Sequence, residues 1–237
     1  MRIDKFLANK AIGSRKEVRQ LIKQGLVSVN GVICQRKDMS IDLEKDRITL
    51  DGQVINNQQT YYIKLNKPAG YVTALEDSLH PTVMDLLPPA YKKMGLKPVG
   101  RLDKDTEGLL LLTTDGQWGH RVIHGRKDCQ KKYYFTYEGQ LASDAKEQLA
   151  KGLVLRDGTQ CKPAKIEWIA RAKALGGKGY IWIEEGKYHQ VKRMIAALGG
   201  HVTYLKRISI DEIGLNGIEE LGQYKELTED EYRLFSL

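Results

Sequence analysis

The part of this 237-residue chain whose residue types best suit chemistry is a charged loop that leads into an apolar run. The loop carries five charged side chains: Arg101, Asp103, Lys104, Asp105 and Glu107. The run that follows, Leu109–Thr114, is bounded by Gly108 and by Asp115-Gly116, which is typical of a strand buried on both faces and ended by a turn. Such a strand end can hold a carboxylate rigidly, and a nearby cation favours its ionised form. The loop is therefore a candidate catalytic site, and the alternative is a loop that is merely solvated.

The segment Val99–Gly116, VGRLDKDTEGLLLLTTDG, contains the pattern GRLDxxTxGLLxxTxDG. This pattern closely resembles the signature of the RNA pseudouridine synthases, in the branch typified by ribosomal small-subunit pseudouridine synthase A. The resemblance implies that Asp103 is the catalytic carboxylate. It also implies a reaction without cofactor or metal, in which the bond from ribose C1′ to uracil N1 breaks and the base rejoins the sugar through C5.

Two further cations are candidates to sit beside that carboxylate. Arg101, two residues before Asp103, points to the same side if the segment is extended. The stretch EGKYHQVKRM, from Glu185, resembles the family's motif GRxHQxR, and on that match Lys192 takes the position of the arginine that pairs with the catalytic aspartate. Lysine is a point charge rather than a two-pronged fork, so Arg193 next to it stays an alternative partner. Lys192 and Arg193 also have the alternative of being exposed helix charges.

The stretch Lys131-Lys132-Tyr133 matches the family's KxY motif, whose tyrosine stacks on the target base and can take part in its deprotonation. Tyr134 lies on the opposite face of the same strand, and register alone decides which ring enters the cleft; we predict Tyr133. The target base must leave its stack to reach a buried carboxylate, and a cationic rim helps to hold it. We expect Lys67, in the family-like pattern NKPxG, and His189 on that rim. The alternative for His189 is a hydrogen bond to a loop.

The composition points to an acidic partner. The chain has 38 Lys and Arg against 30 Asp and Glu, a net charge of +8 and a pI near 9.2, and nucleic acid is the commonest partner of such a surface. Residues 1–37 hold nine of the cations and two acids, which is nearly the whole excess. The candidates for contact with RNA phosphates in this stretch are Arg2, Lys5, Arg15, Lys16, Arg19 and Lys23.

The same N-terminal stretch has a recognisable order of elements. An apolar helical face begins at Ile3 and stops at Gly13, and Ser14-Arg-Lys-Glu17 has the pattern of a capping box that begins a second helix. Short strand pairs are predicted around type I′ turns at Asn30-Gly31 and Asp51-Gly52. This order is similar to the S4 RNA-binding module, which grips phosphates and RNA shape more than sequence. The alternative is a solvated amphipathic helix.

Many strands interleaved with few helices predict an α+β protein. We expect a small S4-like α/β RNA-binding domain at residues 1–55 and a polar linker at 56–60. Residues 61–237 are expected to form the catalytic domain, with a mixed, mostly antiparallel sheet and, on the resemblance, the pseudouridine synthase fold. Within this domain Ser143 is the expected N-cap of a helix, and Thr228-Glu-Asp-Glu231 has the pattern of a second capping box.

Other chemistries and compartments are disfavoured. The three cysteines, Cys34, Cys129 and Cys161, form no CxxC pair, which indicates a reducing compartment without disulfides. His120 and His124 have the spacing of metal ligands on a helix, but no HExxH pattern or cysteine pair accompanies them, and no metal site is expected. The start of the chain has no apolar signal core and no apolar run approaches membrane-spanning length. We expect a cytoplasmic protein with no membrane partner, and a monomer because nothing demands an oligomer.

Two functional classes stay open: an enzyme that isomerises uridine in ribosomal RNA, and a non-catalytic RNA-binding assembly factor. An inactive relative is expected to lose at least Asp103, and the intact motif positions favour the enzyme. The EGKYHQVKRM and DGQWGHR segments look closest to the small-subunit branch, although the sister enzymes for large-subunit RNA share most of the motifs. Small-subunit (16S) rRNA, naked or in a partly assembled ribosomal subunit, is therefore the expected substrate, and large-subunit (23S) rRNA is the alternative.

Overall fold

The structure is a computed structural model that describes residues 1–10, 12–43, 45–55, 60–125, 129–172 and 176–236. Contacts divide the chain into two compact units, of which one comprises Met1–Tyr61 and Leu87–Lys97 and the other Tyr62–Leu86 and Pro98–Leu237. The expected linker at 56–60 lies outside the described residues except for Thr60. Leu87–Lys97 belongs to the first unit by its contacts, although the sequence analysis placed it in the catalytic domain. The predicted domain limits stay a prediction.

The first unit contains two helices followed by a small antiparallel sheet. Its helices are α1 (Ile3–Asn9) and α2 (Arg15–Lys23), and α3 (Pro89–Lys93) belongs to the same unit. The strands are β1 (Val27–Val29), β2 (Val32–Ile33), β3 (Ile48–Leu50) and β4 (Gln53–Ile55), in the order β2-β1-β3-β4. Helix α1 ends at Asn9, earlier than the sequence suggested. Apolar side chains of both helices and the sheet form one buried core: Ile3, Phe6, Leu7, Val18, Ile22, Val27, Val29, Cys34, Ile41 and Ile48.

The local signals of this unit behave as predicted. The Ser14 side chain accepts a hydrogen bond from Glu17 N, and Glu17 Oε2 accepts one from Ser14 N, so the capping box is complete. Positive φ values occur at both central residues of each predicted turn, 54° and 82° at Asn30-Gly31 and 49° and 75° at Asp51-Gly52. Both turns therefore have the signs of φ that a type I′ hairpin requires.

The second unit is built on a nine-stranded sheet. Its strands are β5 (Tyr62–Lys67), β6 (Lys97–Val99), β7 (Glu107–Thr113), β8 (Lys131–Gly139), β9 (Lys165–Ala172), β10 (Gly176–Ile183), β11 (Gly200–Ile210), β12 (Ile213–Gly214) and β13 (Tyr224–Glu226). Their order is β13-β5-β7-β11-β8-β10-β9, with β6 beside β7 and β12 beside β11. Strands β7 and β11 are parallel, and the other pairings along the order are antiparallel, which confirms the mixed, mostly antiparallel sheet. The leucines of β7 are fully buried, as the apolar run predicted.

The helices of the second unit are short. They are α4 (Gly116–His120), which continues into a π turn at Arg121–Gly125, then α5 (Ala145–Lys151), α6 (Gln190–Ala197) and α7 (Glu229–Arg233), and a 3₁₀ helix covers Val83–Leu86. The predicted capping box of α7 forms between Thr228 and Glu231. In the described part of the chain, no helix has the length and apolar character needed to cross a membrane.

The predicted N-cap of α5 is wrong. The helix begins at Ala145 after Asp144, one residue later than the sequence suggested. Ala145 N donates a hydrogen bond to Ala142 O, which makes Ser143 and Asp144 the central residues of a tight turn. Ser143 therefore lies in the turn, and its side chain does not cap the helix.

Candidate active site

Three sequence motifs that lie far apart in the chain meet around one cavity of the second unit. The cavity has a volume of about 520 Å³. Arg101 and Asp103, from the loop before β7, line it together with Tyr133 of β8 and His189, which precedes α6. The sheet places β7 and β8 on either side of β11, so their motif residues come to the same region of the fold.

Two basic side chains approach the carboxylate of Asp103. Lys192 Nζ lies 3.2 Å from Asp103 Oδ2 and 2.6 Å from Asp105 Oδ1, and His189 Nε2 lies 3.4 Å from Asp103 Oδ1. In the described ranges these are the basic groups that pair with Asp103. Arg101 is exposed on the cavity wall and, among the described residues, forms no ion pair with Asp103. The structure thus brings Lys192 to the carboxylate.

Arg193, the alternative partner, is directed to other acceptors. Its Nη2 lies 2.5 Å from Asp157 Oδ2, and its Nη1 donates to Tyr188 O over 3.3 Å. Because Lys192 and Arg193 are adjacent on α6, they project at different angles from the helix, and one of them reaches the cavity loop. Arg193 instead ties the residues before α6 to the loop that contains Asp157.

The ammonium group of Lys192 lies between two carboxylates and pairs with both. Partial burial alone would lower the pKa of Lys192, but hydrogen bonds and charges from Asp105 and Asp103 outweigh it and raise the pKa above its ordinary value. Partial burial would likewise raise the pKa of Asp105, but Lys192 outweighs it and holds that pKa below the ordinary value. Lys192 is therefore charged at neutral pH and shares its charge between the two carboxylates.

The register of β8 brings Tyr133, not Tyr134, to the cavity. Tyr133 is buried and lines the cavity, and it stands opposite Ile181 of β10 and Arg207 of β11. Tyr134 faces the other side of the sheet, where its ring has edge contacts with those of Tyr180 and Tyr204, at 5.7 and 6.0 Å between centroids. The predicted orientation of the two rings follows the alternation of the strand.

Arg207 is a buried residue of the cavity that the sequence reasoning missed. Its Nε donates to Leu109 O over 2.7 Å, and its Nη1 lies 3.5 Å from the Tyr133 hydroxyl. Its Nη2 is buried without a hydrogen-bond partner among the described residues. The backbone of Arg207 passes so close to Gly108 that a Cβ there would lie 2.1 Å from Arg207 O. Gly108, with a φ of 99°, is thus required where the parallel strands β7 and β11 meet.

Lys67 is not on the rim of the cavity, and the expectation that it contacts RNA there is wrong. Its side chain is fully buried. Its Nζ donates to four backbone carbonyls: those of Pro68 (3.0 Å), Asp103 (3.1 Å), Lys104 (3.3 Å) and Thr106 (2.8 Å). Burial lowers the pKa of Lys67 to about 8, although nearby carboxylates oppose the shift. Lys67 therefore fixes the backbone of the loop that carries Asp103.

An exposed aromatic ring accompanies His189. Tyr188 is 75% exposed, and its ring stacks on that of His189 at 3.8 Å between centroids and an interplanar angle of 18°. His189 has a φ of 47°, a left-handed conformation that residues other than glycine rarely adopt. The sequence reasoning named His189 but missed Tyr188, whose only signal was an aromatic residue next to the histidine of the EGKYHQVKRM stretch.

Comparison with known proteins assigns both parts of the chain. A family model for RNA pseudouridylate synthase matches residues 61–197, and a model for the S4 domain matches residues 1–48. The chain belongs to the RNA pseudouridine synthase family. The predicted fold class, S4 module and enzyme class are thereby confirmed.

Full-length relatives support the same assignment. The ribosomal small subunit pseudouridine synthase A of Escherichia coli (strain K12) is 41% identical, over 98% of both chains. The uncharacterized RNA pseudouridine synthase YtzG of Bacillus subtilis (strain 168) is 40% identical, over 100% of this chain and 98% of its own length. A crystal structure of a pseudouridylate synthase superposes with a TM-score of 0.66 at 36% identity and covers 99% of both chains.

The S4 domain of this pseudouridine synthase presents its predicted cations to solvent. Arg15, Arg19 and Lys23 are spaced four residues apart along α2 and are exposed, as are Arg2, Lys5 and Lys16. Two of these arginines also neutralise the buried Asp4, because Arg2 Nη2 lies 2.9 Å and Arg19 Nη2 3.8 Å from Asp4 Oδ2. The hydrogen bond from Arg2 is the main cause that lowers the pKa of Asp4. The remaining cations of the set form no ion pair within the residues described.

Replacing Lys67 by methionine is expected to destabilise the synthase. The change keeps the length of the side chain but leaves buried carbonyls of the Asp103 loop without a donor, which costs about 2–4 kcal/mol of unfolding free energy. Urea denaturation measures the loss. Lys104→Met, a matched change at an exposed residue of the same loop, is expected to alter stability by less than about 0.5 kcal/mol. Equal stability of the two variants would show that Lys67 does not hold the loop.

Proposed function

We propose that this enzyme isomerises a specific uridine of small-subunit ribosomal RNA to pseudouridine, with Asp103 as the catalytic carboxylate. The observation that carries the proposal is the convergence of Lys192 and His189 on Asp103, at a cavity whose wall includes Tyr133. A carboxylate held by an ammonium and an imidazole, next to an aromatic ring, suits a reaction at the sugar of a base that has left its stack.

The reaction is an internal rearrangement. The bond from C1′ to N1 breaks, the base turns within the site, and a new bond joins C1′ to C5. The hydrogen that C5 carried is released, and N1 ends with a proton, so atoms balance without an added reagent. Asp103 acts on the target nucleotide by one of three routes: attack on C1′ of the ribose, attack on C6 of the uracil, or a glycal intermediate. Its ion pair with Lys192 orients the carboxylate and supplies a fixed positive charge.

The other cavity residues bind and orient. Tyr133, which lines the cavity, stacks on the uracil and takes part in the loss of the C5 proton. Arg207, at 3.5 Å from the phenol oxygen, holds the Tyr133 hydroxyl in position. Arg101, exposed on the cavity wall, and His189 contact the RNA beside the target nucleotide. The exposed cations of the S4 domain grip phosphates and RNA shape elsewhere on the substrate.

Small-subunit RNA is the proposed substrate because a full-length relative named for that activity is 41% identical over 98% of both chains. The substrate is ribosomal RNA either naked or in a partly assembled subunit. Large-subunit RNA and a purely RNA-binding role in assembly are the alternatives that an experiment must separate.

Tritium release from small-subunit and large-subunit transcripts labelled at C5 of uridine tests this proposal. Replacing the C5–H bond by the glycosidic bond frees the label, so release reports the reaction itself. We expect release from the small-subunit transcript, or from partly assembled small subunits if naked RNA is inert. Release from the large-subunit transcript alone would move the substrate to that RNA. No tritium release from any of these substrates would overturn the proposed activity and leave the RNA-binding role.

A further inference from the structure

The ring of Tyr188 has one covered face and one open face. His189 covers the first face in a near-parallel stack at 3.8 Å. No other ring or cation contact to Tyr188 occurs in the described ranges, and the side chain is 75% exposed. A tyrosine ring is an apolar body with a polar tip, and its open face can stack on a planar group. The open face of Tyr188, next to a side chain of the cavity wall, is therefore available to a nucleobase.

The backbone that carries this ring is rigidly held. Lys187 N donates to Gln190 Oε1 over 2.9 Å, and the buried Gln190 donates through Nε2 to Glu185 Oε1 over 2.7 Å. Tyr188 O accepts the hydrogen bond from Arg193, and the next residue, His189, keeps its strained left-handed conformation. Strained backbone of this kind persists where surrounding bonds determine it, and it concentrates at functional sites.

The position of the ring relative to the reaction is fixed by its neighbour. His189 lines the cavity and its Nε2 lies 3.4 Å from Asp103 Oδ1, whereas Tyr188 is not among the residues of the cavity wall. The ring of Tyr188 thus stacks directly on a side chain that lines the cavity and pairs with Asp103. Lys162 and Lys187 are exposed and line the cavity. The Lys187 ammonium pairs with Glu185 and donates to Gln160 O, so Lys162 is the nearby cation for the RNA backbone.

We propose that Tyr188 forms a second nucleobase subsite, on which the base next to the target uridine in the RNA strand stacks. This inference rests on the proposed function. When a uridine leaves its stack, its neighbour loses a stacking partner, and an exposed aromatic side chain replaces that partner. Stacking on a ring tolerates any base, because every base has a π face. The subsite therefore provides affinity and keeps the strand open, and the sequence is read elsewhere.

Steady-state kinetics of Tyr188→Leu and Tyr188→Phe test the subsite, with the transcript or particle that the wild-type enzyme converts. Stacking of one base is worth about 1–3 kcal/mol, which corresponds to a factor of about 5 to 150. We expect Tyr188→Leu to lose about that factor in kcat/KM, mainly through a higher KM, with an unchanged melting temperature. Tyr188→Phe keeps the ring and is expected to stay within about threefold of the wild type. Leu221→Ala, a change at an exposed apolar residue outside the cavity wall, is the control.

Tyr188→Trp gives a direct signal of stacking. The larger ring is expected to retain turnover, and its fluorescence is expected to fall on addition of substrate RNA by more than the change seen in the wild-type enzyme. The absence of that extra quenching, or a Tyr188→Leu enzyme with the wild-type KM, would overturn the subsite while leaving the proposed function intact.

Two further outcomes also count against the subsite. A loss confined to kcat would mean that the ring acts only by positioning His189. A loss seen with assembled particles but not with naked RNA that the enzyme converts would mean that the ring binds a protein. Failure of the wild-type enzyme to convert any substrate is a different result, because it overturns the proposed function itself.

Discussion

Asp103→Asn is expected to abolish turnover, by roughly 10³-fold or more, and to leave RNA binding intact. Asparagine keeps the shape of the side chain and can still accept a hydrogen bond from Lys192. It has no negative charge, however, and it is a poor nucleophile, so the step beside the sugar is lost. Single-turnover tritium release with enzyme in excess measures the rate, and filter binding of the same RNA measures the affinity.

The matched control for that variant is Asp105→Asn. It makes the same chemical change two residues away, at a carboxylate that also pairs with Lys192 but has an exposed side chain and is not part of the cavity wall. We expect at most about a tenfold loss, because Lys192 keeps its contact with Asp103. Turnover by Asp103→Asn that equals turnover by Asp105→Asn would remove Asp103 from its catalytic role.

Lys192→Met is expected to lower kcat by roughly 10²-fold or more with a small change in RNA affinity. The change removes the ammonium that lies between Asp103 and Asp105, so their like charges are left unbalanced and the Asp103 carboxylate loses its orienting contact. Single-turnover rates at saturating RNA measure the effect. Lys192→Arg keeps the positive charge and is expected to recover part of the rate. Recovery is incomplete because a planar guanidinium presents its donors in a different geometry from an ammonium.

Arg193→Met is the control that separates the two adjacent cations of α6. Arg193 contacts Asp157 and Tyr188 O rather than Asp103. Because its removal releases the backbone that holds the ring of Tyr188, it is expected to weaken RNA binding more than it slows the chemical step. A larger loss of kcat for Arg193→Met than for Lys192→Met would contradict the pairing that the structure shows.

The parts of the site that the sequence predicts well are those that depend on short-range sequence patterns. The leucine run before Asp115-Gly116 identifies β7, because four consecutive apolar residues between turn signals suit a strand buried on both faces. The alternation of β8 decides that Tyr133 and Tyr134 point to opposite sides, and the motif before α6 locates Lys192. Each of these inferences needs only a few neighbouring residues.

The parts that the sequence did not predict depend on distant segments of chain. Lys67 reads as a candidate for the RNA rim, but its role is set by carbonyls 36 to 39 residues away in the Asp103 loop. Arg207 follows another cation, Lys206, in its strand, and its burial follows from pairing with a strand about one hundred residues earlier. Tyr188 is conspicuous only through its exposure, which sequence does not show. Tertiary contacts, rather than local propensity, decide all three.

Nucleoside analysis of small-subunit RNA treated with the wild-type or the Asp103→Asn enzyme tests most directly whether the site around Asp103 converts uridine to pseudouridine. Uridine and pseudouridine have the same mass, but after digestion they separate by chromatography and can be counted. A single new pseudouridine per RNA with the wild-type enzyme, and none with the variant, is the expected result. Pseudouridine formed equally by both enzymes, or by neither on naked RNA and partly assembled subunits, would contradict it.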